Sequence, residues 1–307
     1  MDLATEYLGL RLRNPLVAGA SPLSRTADGV RRLADAGVAA VVLMSLFEEQ
    51  LRDGDDDAAR RYRRLLERSV STVDVPVIAS LNCATVGSWT DYARTLADAG
   101  AAALECNIYY LPADIDVDGR DVEDRYLDIV AAIRAAVDIP VSVKLGPYFS
   151  SMGQMARRLA DVGADGLVLF NRFLQPDIDI EDMTRLLGPT LSSAAEMRLP
   201  MTWIALLHGR TRLALAASTG VRGGDEVIKY LLAGADVVEV ASALLRNGPD
   251  YAAVLLDGLT AWLNRKNHAG VAEIRGRLAV PDDGVAHERD GYVGGMRAAD
   301  ETPYGAW

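Results

Sequence analysis

Cysteine and histidine are nearly missing from this chain. Its 307 residues hold two cysteines, Cys83 and Cys106, no CxxC pair and three scattered histidines, which excludes a disulfide framework and the usual zinc or iron–sulfur ligand sets. A basic surplus is missing as well. The net charge of −11 leaves no excess of Lys and Arg to neutralise phosphates, so nucleic acid and anionic membrane surfaces are excluded as partners. No apolar run approaches the length of a bilayer span, and the opening "MDLATEYLGLRLRNP" has no apolar signal core. The expectation is a soluble, cytoplasmic protein with a small-molecule substrate. A Gly-rich turn after the first strand-like run is also absent, which argues against a doubly wound open sheet.

What is present is a fourfold echo. "LADAGVAAVVL" (33–43), "LADAGAAALEC" (96–106), "LADVGADGLVL" (159–169) and "LLAGADVVEV" (231–240) each run from an apolar helix end through a glycine into a buried-looking strand. The stop glycines Gly37, Gly100, Gly163 and Gly234 lie 63, 63 and 71 residues apart, about two βα units at roughly 30 residues each. Strand-like runs fall at 15–20, 40–45, 76–81, 103–108, 140–145, 166–170, 213–218 and 237–241. They are continuous Val, Ile, Leu and Ala runs, as in parallel strands covered on both faces. Eight units predict a (β/α)8 TIM barrel. The clearest intervening helix is expected over 121–137, with Asp121 as its cap. One domain is expected over 1–279, with rim insertions at 48–69 and 172–200 forming a lid. The tail 280–307 either hangs loose or docks on a partner subunit through Tyr304 and Trp307, so a homodimer stays open.

Chemistry in such barrels sits on the loops that follow the strands. Those positions hold Ser45, Ser80, Asn82, Asn107, Lys144, Asn171, Ser218, Thr219, Gly220, Ala241 and Ser242. Small residues and glycines follow both of the last two strands, in "ASTGVRGGDEV" and "VASALL". Such turns expose backbone N–H groups and are suited to holding a phosphate.

At these residues the chain resembles the class 1 dihydroorotate dehydrogenases. The matching pieces are "GLRLRNPLVAGAS", "PVIASLN", "ECNIYYLP", "PVSVKLGPYF", "DEVIKYLLAGADVVEVASALLRNGP" and "VAEIRGRL", in family order through nearly the whole length. The resemblance implies an FMN-dependent oxidoreductase acting on a CH–CH bond; the family reaction converts dihydroorotate to orotate in pyrimidine biosynthesis. It places the FMN phosphate on amides around Thr219, Gly220, Ala241 and Ser242, with Ser218 beside them. It sets Lys144 at the flavin's pyrimidine end, and Gly19, Ser45, Ser80 and Asn107 along the cofactor. Asn82, Asn171 and Arg172 are candidates for substrate contacts, with a surface ion pair as the other reading of Arg172.

Strand alternation independently puts Lys144 and Ser142 on one face and Val141 and Val143 on the other, so the lysine points into the barrel. A buried ammonium needs an anionic partner. A salt bridge to Glu105 on the neighbouring strand is one answer, and a bound flavin is the preferred one.

The departures concern proton transfer. Where the family carries its Cys or Ser base this chain has Tyr110, a phenol with pKa about 10, poor as a base near neutrality but serviceable as an acid. Either Tyr110 protonates an activated C=C bond as the reduced flavin gives hydride, or Tyr109 and Tyr110 are packing aromatics. Cys83 is a second candidate for a displaced base, whereas Cys106 is expected to face the helices. Met44 replaces the family's strand-two lysine, and the family's substrate loop is missing from 48–69. Two further classes stay open: a flavin-binding electron relay for a soluble redox partner, and a flavin-free, aldolase-like barrel with Lys144 as Schiff base. The calcium-like "DIDVDG" (114–119) has Arg125 where a bidentate Glu belongs and reads as a solvated loop. His208 is expected at the end of the barrel opposite the site.

Overall fold

A computed structural model describes residues 1–52, 56–85, 87, 89–172, 176–186, 188, 190–281, 291 and 293–297. Eight parallel strands close on themselves: β1 (Leu16–Ala18), β2 (Ala40–Val42), β3 (Val77–Cys83), β4 (Ala103–Ile108), β5 (Val141–Leu145), β6 (Gly166–Leu169), β7 (Ala214–Ser218) and β8 (Val237–Val240). β8 pairs with β1 and β2 pairs with β3, so no edge is left unpaired. Outside lie α1 (Ala27–Asp35), α2 (Asp56–Thr72), α3 (Trp89–Asp98), α4 (Gly119–Ala136), α5 (Met152–Asp161), α6 (Arg198–Leu207), α7 (Gly224–Ala233) and α8 (Tyr251–Arg265). Each expected strand is present, with ends displaced by no more than three residues.

The echo has a backbone cause. Its four glycines all take left-handed φ values, from 95° to 120°, where a side chain is disfavoured and a helix can stop in one residue. At Gly234 the space is closed too, since an added Cβ would lie 2.5 Å from the His208 ring. His208 Nδ1 lies 3.0 Å from the Gly234 carbonyl oxygen, at the barrel end opposite the strand C-termini.

Two expectations are corrected. α4 is capped by Asp118, whose carboxylate accepts from the Arg120 amide at 2.7 Å; Asp121 falls inside the first turn instead. Much of 48–69 is not lid, because α2 is one of the eight barrel helices and buries Tyr62 and Leu66 against the strands. Within 172–200, Asp177–Asp179 pairs with Thr184–Leu186 in an exposed antiparallel hairpin. Tail residues 282–290, 292 and 298–307, including Tyr304 and Trp307, lie outside the described residues. Among the described residues no helix is long and apolar enough to cross a membrane.

Burial separates two apolar layers. Val141, Val143, Leu104 and their equivalents face the helices. Inside the barrel, Val17, Val42, Ile78, Val168 and Val237 meet Tyr7, Leu8 and Leu12, which come from an N-terminal hairpin of Thr5–Tyr7 and Leu10–Leu12. That hairpin plugs the barrel end opposite the site. Tyr7 is 1% exposed, and its hydroxyl has no hydrogen-bond partner among the described residues. Tyr7→Ala should therefore destabilise the fold by about 3–5 kcal/mol through the cavity it leaves, while Tyr7→Phe should leave stability level or raised. Denaturant midpoints check both, and equal losses in the two variants would refute the plug.

Candidate functional site

The C-terminal half of the barrel interior is polar. Register places Asn82, Asn107 and Lys144 side by side across β3, β4 and β5, and Ser80, Glu105 and Ser142 one level below. Lys144, one of three lysines in the chain, points inward as alternation requires. Its Nζ lies 3.0 Å from Glu239 Oε2 and 3.5 Å from Glu105 Oε1. The expected partner Glu105 is thus joined by Glu239 from β8, a residue that sequence reasoning missed. The signal was there: in "VVEV" the glutamate alternates with Val238 and Val240, which both face the helices.

The cluster is dry, with Glu105 0%, Glu239 2% and Lys144 7% exposed. Burial lowers the Lys144 pKa, but the charges of Glu105 and Glu239 outweigh it and hold the ammonium protonated well above its ordinary range. Burial, and after it the Glu239 charge, pushes the Glu105 carboxyl up to about 8 against the opposing pull of Lys144. Glu105 Oε2 and Glu239 Oε1 find no donor among the described residues. On the β2 side, Ser45 Oγ lies 2.8 Å from Ser80 Oγ, which donates to Glu105 Oε1 at 3.5 Å. Gly19 abuts the other flank, where an added Cβ would sit 3.6 Å from Glu239 Oε2.

Beside Lys144, at the ends of β7 and β8, is a cavity of about 140 Å³. It is lined by Lys144, Asn171, Arg172, Ser192, Ser218, Thr219, Gly220, Ala241 and Ser242, with Ala20, Phe170, Val221 and Val240. In a chain of net charge −11, this lining contains two cations and no carboxylate. Its backbone is held with care. Tyr230, fully buried on α7, donates to the carbonyls of Ser218 at 3.1 Å and Thr219 at 2.7 Å, which draws both oxygens toward the helix layer. Thr219 and Gly220 both take positive φ, 81° and 83°, a conformation rare for a β-branched residue and found where function holds the turn. At Gly220 an added Cβ would lie 2.6 Å from the Met197 Cβ.

The insertion closes over this turn. Ser192 Oγ accepts from the Gly220 amide, and the Ser192 amide donates to Ser242 Oγ, each at 3.1 Å. Arg246 donates to the Ser192 carbonyl at 2.9 Å. Ser192 lies in an irregular return loop, where neither period nor motif marks it. Arg172 lines the cavity and also pairs with Glu196 at 2.7 Å and with Thr190. Asn171 Nδ2 donates to Asn107 Oδ1 at 2.6 Å, which joins two predicted residues across the mouth.

Two catalytic candidates are not brought to this floor. Cys83 is fully buried in the helix layer, 3.9 Å from Cys106 Sγ, because parity from inward Ser80 and Asn82 turns residue 83 outward. Burial, then Cys106, pushes its thiol well above the ordinary range, the wrong direction for a base. Tyr110 also turns outward. It packs against the helix-layer cluster, its ring lies 4.1 Å under the Arg125 guanidinium carbon, and Tyr126 hydrogen-bonds to its backbone. These are the contacts of a packing aromatic. In the "DIDVDG" loop, Asp114 bonds the Asp116 amide and Asp118 caps α4.

A second rim cleft, about 550 Å³, opens beside β2. It is lined by Met44, Ser45, Leu46, Phe47, Tyr62 and Leu65, with Arg25 and Arg61 at its margin. Near it, Glu48 anchors the loop after β3 by accepting from the amides of Ala84 at 2.7 Å and Thr85 at 2.9 Å. Burial raises the Glu48 pKa, and these bonds with that of the Thr85 hydroxyl more than offset it.

The dihydroorotate dehydrogenase family model matches residues 52–263. The dihydroorotate dehydrogenase B (NAD(+)) catalytic subunit of Methanocella arvoryzae is 29% identical over 288 residues, 87% of this chain and 95% of that protein. Its counterpart in Methanothermobacter thermautotrophicus is 24% identical over 304 residues, 89% of this chain and 97% of that protein. Dihydroorotate dehydrogenase A (fumarate) of Lactobacillus delbrueckii subsp. bulgaricus is 28% identical over 180 residues, 56% and 57% of the two chains.

The Glu105 environment has a pH consequence. Its folded pKa of about 8 lies above the ordinary 4.5, so its contribution to stability is complete below pH 4.5 and is lost as pH rises to about 8. Glu105→Gln, which cannot ionise, should gain on the wild type across that window and hold a constant difference above it. Denaturant midpoints read at pH 4.5, 6.5 and 8.5 check this, and a pH-independent difference would sink it.

Proposed function

The chain belongs to the dihydroorotate dehydrogenase family, and from that premise we propose that it is an FMN-dependent oxidoreductase acting on a CH–CH bond. The observation that carries the reading is the acid-free cavity at the ends of β7 and β8, with Lys144 in its wall. Small side chains and a left-handed turn suit a phosphate monoester, and Lys144 in the same wall suits the ring end, so the residues present fit the nucleotide. When bound, FMN supplies two-electron chemistry by accepting or giving a hydride.

The chain's own groups bind and orient. The turn Ser218–Thr219–Gly220 and the segment Ala241–Ser242 hold the phosphate end, kept in shape by Tyr230 and by Ser192. Lys144 has three N–H donors, two of them directed at Glu239 and Glu105. The third is left for the flavin, where a fixed positive charge favours the anionic reduced ring. Asn107 and Asn171 stiffen one another, and together with Asn82 they offer amide groups to a polar substrate. Gly19 and Ser45 border the same floor.

The family names give dihydroorotate as the first substrate to try and fumarate or NAD+ as acceptors. A second reading, a flavin-bearing electron relay for a soluble redox partner, is favoured by one observation: Cys83 and Tyr110 both face the helix layer.

Purified protein should carry a flavin absorption band that bleaches anaerobically when dihydroorotate is added. A band that resists dihydroorotate would exclude this substrate and favour the relay, and a colourless protein that takes up no FMN would exclude both. The orientation of the two rim residues gives a separate expectation. Cys83→Ser and Tyr110→Phe should keep turnover within about twofold, whereas loss of a working acid or base costs on the order of 10²-fold or more. A drop of that size in either variant would return that residue to the reaction.

A further inference from the structure

Two carboxylates share one ammonium in the barrel interior, and the arithmetic of that cluster does not close with both ionised. Lys144 satisfies Glu239 Oε2 and Glu105 Oε1. The other two oxygens, Glu105 Oε2 and Glu239 Oε1, are buried without a donor among the described residues, while both carboxyl groups converge on the one ammonium. Two carboxylates can bond to each other only when one carries a proton, and leaving both charged against one cation in a dry interior is costly. The remaining neighbours supply no second cation. Tyr7 rises from the hairpin below, with its phenol pushed up by burial and then by Glu239 and Glu105; Ser142 and Ser80 are neutral; Gly19 presents backbone.

The cluster also has a way out. Ser80 Oγ touches Glu105 Oε1, Ser45 Oγ touches Ser80 Oγ, and Ser45 lines the open cleft beside β2. Hydroxyls both donate and accept, so this chain can pass a proton without moving the backbone.

We propose that Glu105 and Glu239 hold one proton between them beneath the barrel mouth, exchange it with the β2 cleft through Ser80 and Ser45, and so set the net charge of the cluster that Lys144 presents to bound flavin. The inference rests on the FMN reading for its last clause alone. Negative charge arriving on the flavin raises the pair's affinity for the proton, and by reciprocity the protonated pair favours the reduced cofactor. Glu105, Glu239 and Ser80 are positioning residues here, acting on the cofactor through Lys144.

The test is an infrared titration of the holoenzyme in H2O and D2O, with the flavin oxidised and then reduced. The expected result is a deuterium-sensitive carboxylic C=O band at pH 6 that is lost as pH rises through about 8, with the loss moved to higher pH on reduction. Glu239→Gln should remove the band, and Glu105→Gln should do the same should the first variant not fold. Ser80→Ala should slow the band's response to a pH jump at least tenfold. A band absent from wild type at pH 6, or persisting in the Gln variants, overturns the shared proton. A band indifferent to flavin reduction overturns the coupling, and an unaltered jump response overturns the route. Protein found without FMN would overturn the cofactor assignment alone, because the same titration on the apoprotein still decides the pair.

Discussion

The structure turns on the charge of Lys144. An ammonium taken out of water into a barrel core costs several kcal/mol unless it is paired, and here the pairing comes from strands on two different sides of the ring. Glu105 sits on the adjacent β4, while Glu239 reaches across from β8, 95 residues further along the chain. The Glu105 contact needs only β4 and β5 paired, whereas the Glu239 contact exists only once β8 has been brought round the ring. The cluster therefore couples closure of the sheet to neutralisation of its interior, and it leaves one acid more than the single base can satisfy. Gly19 borders the same arrangement, where an added Cβ would lie in ordinary van der Waals range of Glu239.

Around that charge the barrel is divided by height. Toward the strand N-termini the interior is Val, Ile, Ala and the inserted Tyr7, sealed so that water does not reach the carboxylates from below. Toward the C-termini it is Ser, Asn, Glu and Lys, open to the rim. The β7 turn is the stiffest part of that rim, because Tyr230 fixes the two carbonyls that precede Gly220 and the packed Met197 forbids a side chain there. Left-handed backbone at Thr219 carries strain of order 1–3 kcal/mol, which the surrounding bonds from Tyr230 and Ser192 hold in place.

Much of this was legible in the sequence, for identifiable reasons. The eight strands announce themselves because both faces are covered, giving short continuous apolar runs, and the echoed glycines mark left-handed helix stops that no other residue makes as cheaply. Lys144 was placed by alternation, and the residues at the ends of β7 and β8 by their small size. Cys83 and Tyr110 both lie near the rim in sequence; alternation from Ser80 turns Cys83 toward the helices, whereas Tyr110 falls past the end of β4, where alternation gives no guide. Glu239 obeyed the same parity, yet its partnership with Lys144 spans the barrel and has no local signature. Ser192 was illegible because its role depends on an irregular loop returning over a turn formed later in the chain.

Parity also locates the departures from the family. Met44, the replaced substrate loop and Tyr110 all belong to the β2–β4 side of the mouth, whereas the acid-free cavity and its lysine belong to β5–β8. Within the mouth, the Asn107–Asn171 bond and the line Ser45–Ser80–Glu105–Lys144 cross between these sides. The first is a pair of amides, which can orient a ligand but cannot carry a proton at neutral pH. The second consists of hydroxyls, a carboxyl group and an ammonium. Of the groups on that second line, Glu105 is the one whose hold on a proton burial strengthens, with its pKa pushed up to about 8.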